Sequence, residues 1–363
     1  MNKNKWKIAV IGCGMIAKSA HIPAYQYYEN DFEVVAVCDT SIETAQEIAK
    51  AFGIGNYYND AEAMLAEIHP NVVSVCVPNA LHKQYVMLAM RYGAHVLCEK
   101  PLAMTLTDAK EMYDYANANG LYLIACQSWR FTPERFGAKR MIDRGELGKV
   151  YYAEISRIRR RGIPTWGNFH IKEHSGGGAF VDIGIHVLDA AVWLMGNPKP
   201  LSVRAHTFAV HTNEIGSPEG SGALSKNVEK SKHFKLEDMD VETFACGTVN
   251  FEGGFAMTFK VAWSANLKEE NNIILSGECA GIDTEHAVVY RGETEQNVLE
   301  TVPQPYEGKE FYGHFYIIEN LAKVLRGEAE LLIKPEETLT VTKIIEAVYR
   351  SAEEEREVLI SEL

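Results

Sequence analysis

Long apolar runs are absent from this sequence. No stretch approaches the roughly 18 consecutive apolar residues of a membrane span, so no membrane partner is expected. Basic charge is also in short supply. Lys and Arg total 36 against 49 Asp and Glu, a formal net charge of −13. That balance argues against a nucleic-acid partner. The seven cysteines form no CxxC pair, so a cysteine zinc site is not expected. Cys38 and Cys76 sit in apolar, strand-like runs, where free thiols fit a reducing cytoplasm. No signal-peptide core separates the first residues from the first strand, which also fits a cytoplasmic location. No internal repeat is visible.

Hydrophobic residues fill 47% of the 363 positions and charged residues 23%. A globular chain of this length exceeds one ordinary core, so two domains are expected. The first shows short apolar runs alternating with helical segments. Lys7 to Gly12 resembles a strand buried on both faces of a parallel sheet. It opens into Gly12-Cys-Gly14-Met-Ile-Ala17. In such a turn the first glycine allows the bend, the second lets a diphosphate approach the backbone, and a small third residue lets helix pack on strand. The following helix aims its amides at the phosphates, which adds Met15 and Ile16 to Gly12 and Gly14 as cofactor-side residues. A second strand, Phe32 to Cys38, ends at Asp39. A carboxylate there accepts hydrogen bonds from an adenosine ribose and repels a 2′-phosphate, so NAD is expected over NADP.

Later strands continue the pattern. Asn71 to Val77 leads into Pro78-Asn79 and His82, and His95 to Cys98 leads into Glu99-Lys100-Pro101. Residues at the carboxyl ends of parallel strands line the ligand crevice. Pro78, Asn79, His82, Glu99, Lys100 and, past the last strand, Gln127 are therefore cofactor-side candidates. Proline holds Lys100 in extended geometry, and its position raises the hypothesis of a cis Lys100–Pro101 bond. The alternation predicts a doubly wound parallel sheet over residues 1–127.

Beyond that point the runs lengthen and helices become scarce, which predicts a mostly antiparallel sheet, open on one side, in a domain spanning 128–363. Residues 212–237 are polar and too long for a plain connection, a candidate lid. Residues 157–161 form a basic cluster, either a solvated turn or an anion subsite. One stretch stands apart: Gly176-Gly177-Gly178, then an apolar segment from Val181 to Met195 that carries Asp182 and His186. Four positions apart on a helix, these two share a face. A carboxylate and an imidazole on a buried helix need a partner, a ligand or a task. The glycines are expected to let the backbone pass close to a nicotinamide or substrate. His170 and His174 have metal-ligand spacing, but they sit on a short segment running into the glycines, and no metal is expected. Trp166, in a loop, is a candidate for stacking on a sugar ring or a nicotinamide, with plain packing as the alternative.

The glycine turn, Cys98-Glu99-Lys100-Pro101, and the glycine triplet with Asp182-x-x-x-His186, in that order and spacing, resemble the Gfo/Idh/MocA oxidoreductases. The resemblance spans essentially the whole chain. It implies an α/β fold: an N-terminal Rossmann domain holding NAD(H) or NADP(H), and a C-terminal α+β domain whose open sheet often forms a dimer or tetramer interface. Lys100, Asp182 and His186 fall at positions that family enzymes use for catalysis, and Arg130, after Trp129, at a substrate-side position. The expected reaction is reversible oxidation of a secondary alcohol of a sugar, sugar derivative or cyclitol. Hydride goes to the nicotinamide, His186 or Lys100 takes the proton, and Asp182 orients the substrate or tunes its neighbours. An NAD-retaining, redox-neutral glycosidase and a non-catalytic NAD-binding regulator are the alternatives.

Overall fold

The computed structural model describes residues 5–210, 234–293, 295–302, 305–306, 308–309 and 311–363. The expected 212–237 lid falls almost wholly outside them. The chain divides into two compact units, Met1–Phe131 with Pro305–Thr338, and Thr132–Gln304 with Leu339–Leu363. The division differs from a continuous second domain over 128–363, because the late segment Pro305–Thr338 belongs to the first unit.

In the first unit, six short strands form one parallel sheet. They are β1 (Trp6–Ile11), β2 (Phe32–Cys38), β3 (Asn56–Tyr58), β4 (Val72–Val75), β5 (His95–Cys98) and β6 (Leu123–Ala125). Their order, β3-β2-β1-β4-β5-β6, reverses direction beside β1, the switch point where α/β sheets bind ligands. All four residues of β4 are buried, as are Ile8 to Ile11 of β1, which explains their unbroken apolar character. The helices of its N-terminal segment are α1 (Ile22–Tyr27), α2 (Ile42–Phe52), α3 (Ala61–Ile68), α4 (His82–Arg91) and α5 (Leu106–Ala118). Side chains of Ser41, Asp60 and Thr105 accept backbone N–H bonds at the starts of α2, α3 and α5.

In the second unit, α6 (Pro133–Asp143) precedes β7 (Val150–Ile158). The short α7 (Lys172–Ser175) leads to a π-helical turn at Phe180–Gly184 that continues as α8 (Ile185–Leu194). Then come β8 (Pro200–Phe208), β9 (Phe244–Phe251), β10 (Phe255–Ala262), β11 (Glu270–Gly277), β12 (Gly281–Asp283), β13 (Val288–Arg291) and β14 (Glu295–Val298). After α9 (Tyr312–Leu325) of the first unit, α10 (Pro335–Glu353) and β15 (Val358–Leu359) close the chain. The nine strands lie in the order β14-β13-β12-β11-β7-β10-β9-β8-β15. β7 and β10 pair in parallel, and the other pairs run antiparallel. Strand β7 alternates, turning Ala153 and Ile155 into a core shared with α8 and α10. The helical stretch Lys172–Leu194 is apolar and long enough to cross a membrane by length and composition alone, but most of it is buried in this core.

Candidate active site

In the first unit the glycine turn follows β1 directly. Gly12 adopts φ +92°, and a Cβ there would lie 2.5 Å from the Cys76 carbonyl oxygen, so only glycine fits. Gly14 is exposed, and a Cβ built on it meets nothing within 4 Å. The space before it is open, and any side chain would occupy it. The helical backbone starts immediately, with Met15 and Ile16 half-buried in its first turn. Asp39, at the end of β2, accepts the Cys13 N–H at 2.9 Å through Oδ2 and the Ser41 N–H at 3.1 Å through Oδ1. The carboxylate is thereby held beside the glycine turn. These residues fit a dinucleotide: an open glycine for the diphosphate, a helix start for its charge, and a fixed acid for a ribose.

Pro78 and Asn79 follow β4 at the surface, in the turn preceding α4. His82, expected with them, is fully buried instead. Its Nδ1 lies 2.6 Å from the Pro101 carbonyl oxygen and its Nε2 2.9 Å from that of Val77. Both neighbours are acceptors, so a neutral ring donates to one of these carbonyls and a protonated ring to both. Burial pulls its pKa below the ordinary imidazole value, while the two carbonyls pull it back up. The Lys100–Pro101 bond is cis. Lys100 is half-buried, whereas its neighbour Glu99 is only 8% exposed. The Glu99 carboxylate turns inward, taking N–H groups from His21 and His314 on Oε1 and the Lys100 N–H on Oε2. Gln127 is buried just past β6. Arg130 is fully buried and forms an ion pair with Glu337 in the first turn of α10.

Asp182, His186 and Trp166 belong to the second unit. Asp182 lies in the π turn and His186 in the first turn of α8, each half-buried. Trp263, itself fully buried, donates its indole N–H to Asp182 Oδ2 at 2.9 Å. Gly184, between the pair, lets the helix close on β10: a Cβ there would lie 3.0 Å from Val261 Cγ2. Arg157 and Arg159 continue the core-facing side of β7. Burial, then the charges of Arg159 and Arg135, push the Arg157 pKa down to about 9, while Asp182 and Glu269 counteract. Trp166 is half-buried in the loop before α7, and the His170 ring packs edge-on against Phe234 at 4.8 Å.

Two glycines of the triplet have a physical reason within the fold itself. A Cβ on Gly177 would lie 2.2 Å from Tyr349 Oη, and one on Gly178 would lie 1.9 Å from the Glu242 carbonyl oxygen. The glycines admit a cap built from distant residues. Glu242 accepts the Gly178 N–H on Oε2 at 2.8 Å and the Phe180 N–H on Oε1 at 2.9 Å. Its carbonyl accepts the Ala179 N–H at 3.1 Å. Tyr349 donates to Glu242 Oε1 at 2.8 Å and accepts the Val181 N–H at 3.3 Å. Four N–H groups that a helix start leaves over are thus all bonded. Glu242, Tyr349, Trp263, His21 and His314 escaped sequence reasoning, since each is a lone polar residue in an apolar or helical run.

The open glycine turn, the acid after β2 and the switch point of the parallel sheet define a dinucleotide-binding oxidoreductase architecture. The comparisons are specific about which one. A model described as an oxidoreductase family with NAD-binding Rossmann fold matches residues 6–126, and a GFO/IDH/MocA C-terminal domain model matches residues 136–283. The chain is 32% identical over 355 residues to a D-glucoside 3-dehydrogenase from Escherichia coli K12, covering 97% of each. It is 33% identical over 201 residues, 54% of this chain and 59% of the relative, to an NADP-dependent scyllo-inositol 2-dehydrogenase from Bacillus subtilis. The solved aldose-aldose oxidoreductase from Caulobacter crescentus shares its fold at a TM-score of 0.80, with 23% identity and coverage of 98% of this chain and 100% of that one. The chain belongs to the GFO/IDH/MocA oxidoreductases.

Proposed function

We propose that this chain is an NAD-dependent dehydrogenase acting on a secondary alcohol of a sugar, sugar derivative or cyclitol. The observation that carries the reading is the match, along 97% of both chains, to a D-glucoside 3-dehydrogenase. Asp39 supports NAD over NADP, because its carboxylate is held at the end of β2 where a 2′-phosphate would meet like charge. When bound, the nicotinamide accepts or returns hydride. The chain's own residues supply binding, orientation and proton transfer. The glycine turn and the helix after it hold the diphosphate. Lys100 holds the hydroxyl and favours its ionised form by charge. His186 takes the proton, with Asp182, fixed by Trp263, orienting the substrate. Arg130 and Trp166 stay substrate-side candidates. Free thiols at all seven cysteines, five of them buried, support a cytoplasmic setting. Exposed Leu201, Phe208, Tyr290 and Val298 on sheet strands support a homo-oligomer.

The test is a spectrophotometric NAD(H) and NADP(H) screen across D-glucosides, free sugars, their acids and inositols. Substrate-dependent NADH formation is expected. A preference for NADP of tenfold or more would overturn the cofactor assignment, and no turnover on any polyol would overturn the dehydrogenase reading.

A further inference from the structure

Beneath Lys100 lies a buried polar cluster that the proposed chemistry does not use. The Glu99 carboxylate is its centre. On Oε1 it receives His21 Nε2 at 2.9 Å and His314 Nε2 at 3.0 Å, and on Oε2 the backbone N–H of Lys100 at 3.1 Å. His21 is braced from behind. His21 Nδ1 lies 3.1 Å from Ser74 Oγ, which in turn meets the Tyr25 hydroxyl at 3.0 Å. His314 Nδ1 lies 3.3 Å from the Phe311 carbonyl oxygen. Both histidines and Glu99 are buried.

Cys126 completes a group whose potential ligand atoms all lie within 4.8 Å of one another. The hydrogen bonds nevertheless describe a clamp. An ionised carboxylate only accepts, so each Nε2 beside Oε1 must carry its proton and has no lone pair for a cation. Three N–H donors on one buried carboxylate fix it in place, because losing any one would leave a desolvated acceptor underused. The pieces come from far apart: a helical turn after the glycines, the end of β5, and α9 in the late segment Pro305–Thr338.

We propose that Glu99 is a positioning residue, whose carboxylate, clamped by His21 and His314, fixes the backbone of Lys100 and so aims its ammonium. The inference rests on the reading of Lys100 as a catalytic group. Glu99→Gln keeps the shape but removes the charge and leaves one acceptor oxygen; with that oxygen kept on the two imidazole N–H groups, the NH₂ faces the Lys100 N–H. The first readout needs no turnover. Hydrogen exchange at the Lys100 amide is expected to rise at least tenfold in Glu99→Gln, with the amides of β1 and β4 unchanged. Unchanged exchange at Lys100 overturns the proposal.

The second readout is a double-mutant cycle in kcat, with NAD and methyl β-D-glucopyranoside as the probe pair. Glu99→Gln is expected to lower kcat about 10²-fold, the scale of a misplaced reacting group, with the KM for NAD changed less than about threefold. In a Lys100→Ala background it should cost less than about twofold more. An equal cost in both backgrounds shows a merely structural role and overturns the proposal. Near-normal kcat in Lys100→Ala alone overturns the catalytic reading of Lys100, and the proposal with it. Should Glu99→Gln fail to fold, His314→Asn removes one donor and carries the same cycle.

Discussion

Replacing Glu242 by glutamine tests whether the start of the Asp182 helix depends on a carboxylate 62 to 64 residues downstream in sequence. The native side chain accepts three donors: Gly178 N–H, Phe180 N–H and the Tyr349 hydroxyl. Glutamine can keep the two on Oε1, but its NH₂ then faces the Gly178 N–H. One buried, unpaired backbone donor costs about 1–3 kcal/mol. Some of that is offset. Burial, against the pull of its donors, pushes the Glu242 carboxyl above its usual range, so the native charge carries a desolvation cost that a neutral amide avoids. A net loss of about 1–2 kcal/mol is expected, a fall in Tm of roughly 3–6 °C for a unit of this size. Glu242→Ala leaves three donors stranded and should cost about 3–6 kcal/mol, a large share of the ~5–15 kcal/mol that stabilises an ordinary domain. Calorimetry of the three proteins at pH 7 reads the series. A Glu242→Gln protein melting within about 1 °C of the native chain, or an alanine variant no worse than the glutamine one, would refute the cap as the support of this helix.

Three further outcomes are expected. His186→Ala should lower kcat by about 10²-fold, the usual worth of a general base, and near-normal turnover would remove His186 from the mechanism. Trp263→Phe takes away the indole N–H that Asp182 accepts, and should cost about 1–3 kcal/mol in the second unit while lowering kcat more than it changes the KM for NAD, both checked on the purified variant. Acid should weaken the first unit in two stages. Burial holds the His21 pKa below 6.5, so stability is lost once the unfolded chain protonates below about that pH. Against the opposing effect of burial, His21 and His314 hold Glu99 well below 4.5, so stability present above that pH is lost as pH falls further. Urea titrations at pH 7, 5.5 and 4 should show midpoints falling in that order, and a midpoint rising between pH 7 and 5.5 would contradict the sign.

Several features were legible because they are local. The apolar run of β1, the glycines after it and the acid closing β2 lie within one βαβ unit, where period and spacing are sufficient signals. The same holds for the cis bond suggested by Lys100-Pro101. Where the sequence reading strayed, the deciding contact was remote. His82 stands where cofactor-side residues gather, yet its ring faces two carbonyls, one of them 19 residues away. The short strands β12, β14 and β15 take their identity from the partners they pair with rather than from any run of their own.

By itself, then, the sequence determined the parallel sheet, the dinucleotide turn and the presence of Asp182 and His186 on one apolar helix. Each follows from backbone rules acting over a few residues. Tertiary structure alone decided that Gly177 and Gly178 make room for Tyr349 and Glu242, and that His314 reaches Glu99 across 215 positions of chain. A buried carboxylate needs donors, but burial sets only that requirement. Which donors meet it depends on where folding brings distant segments together, and a single sequence carries no periodic mark of that meeting.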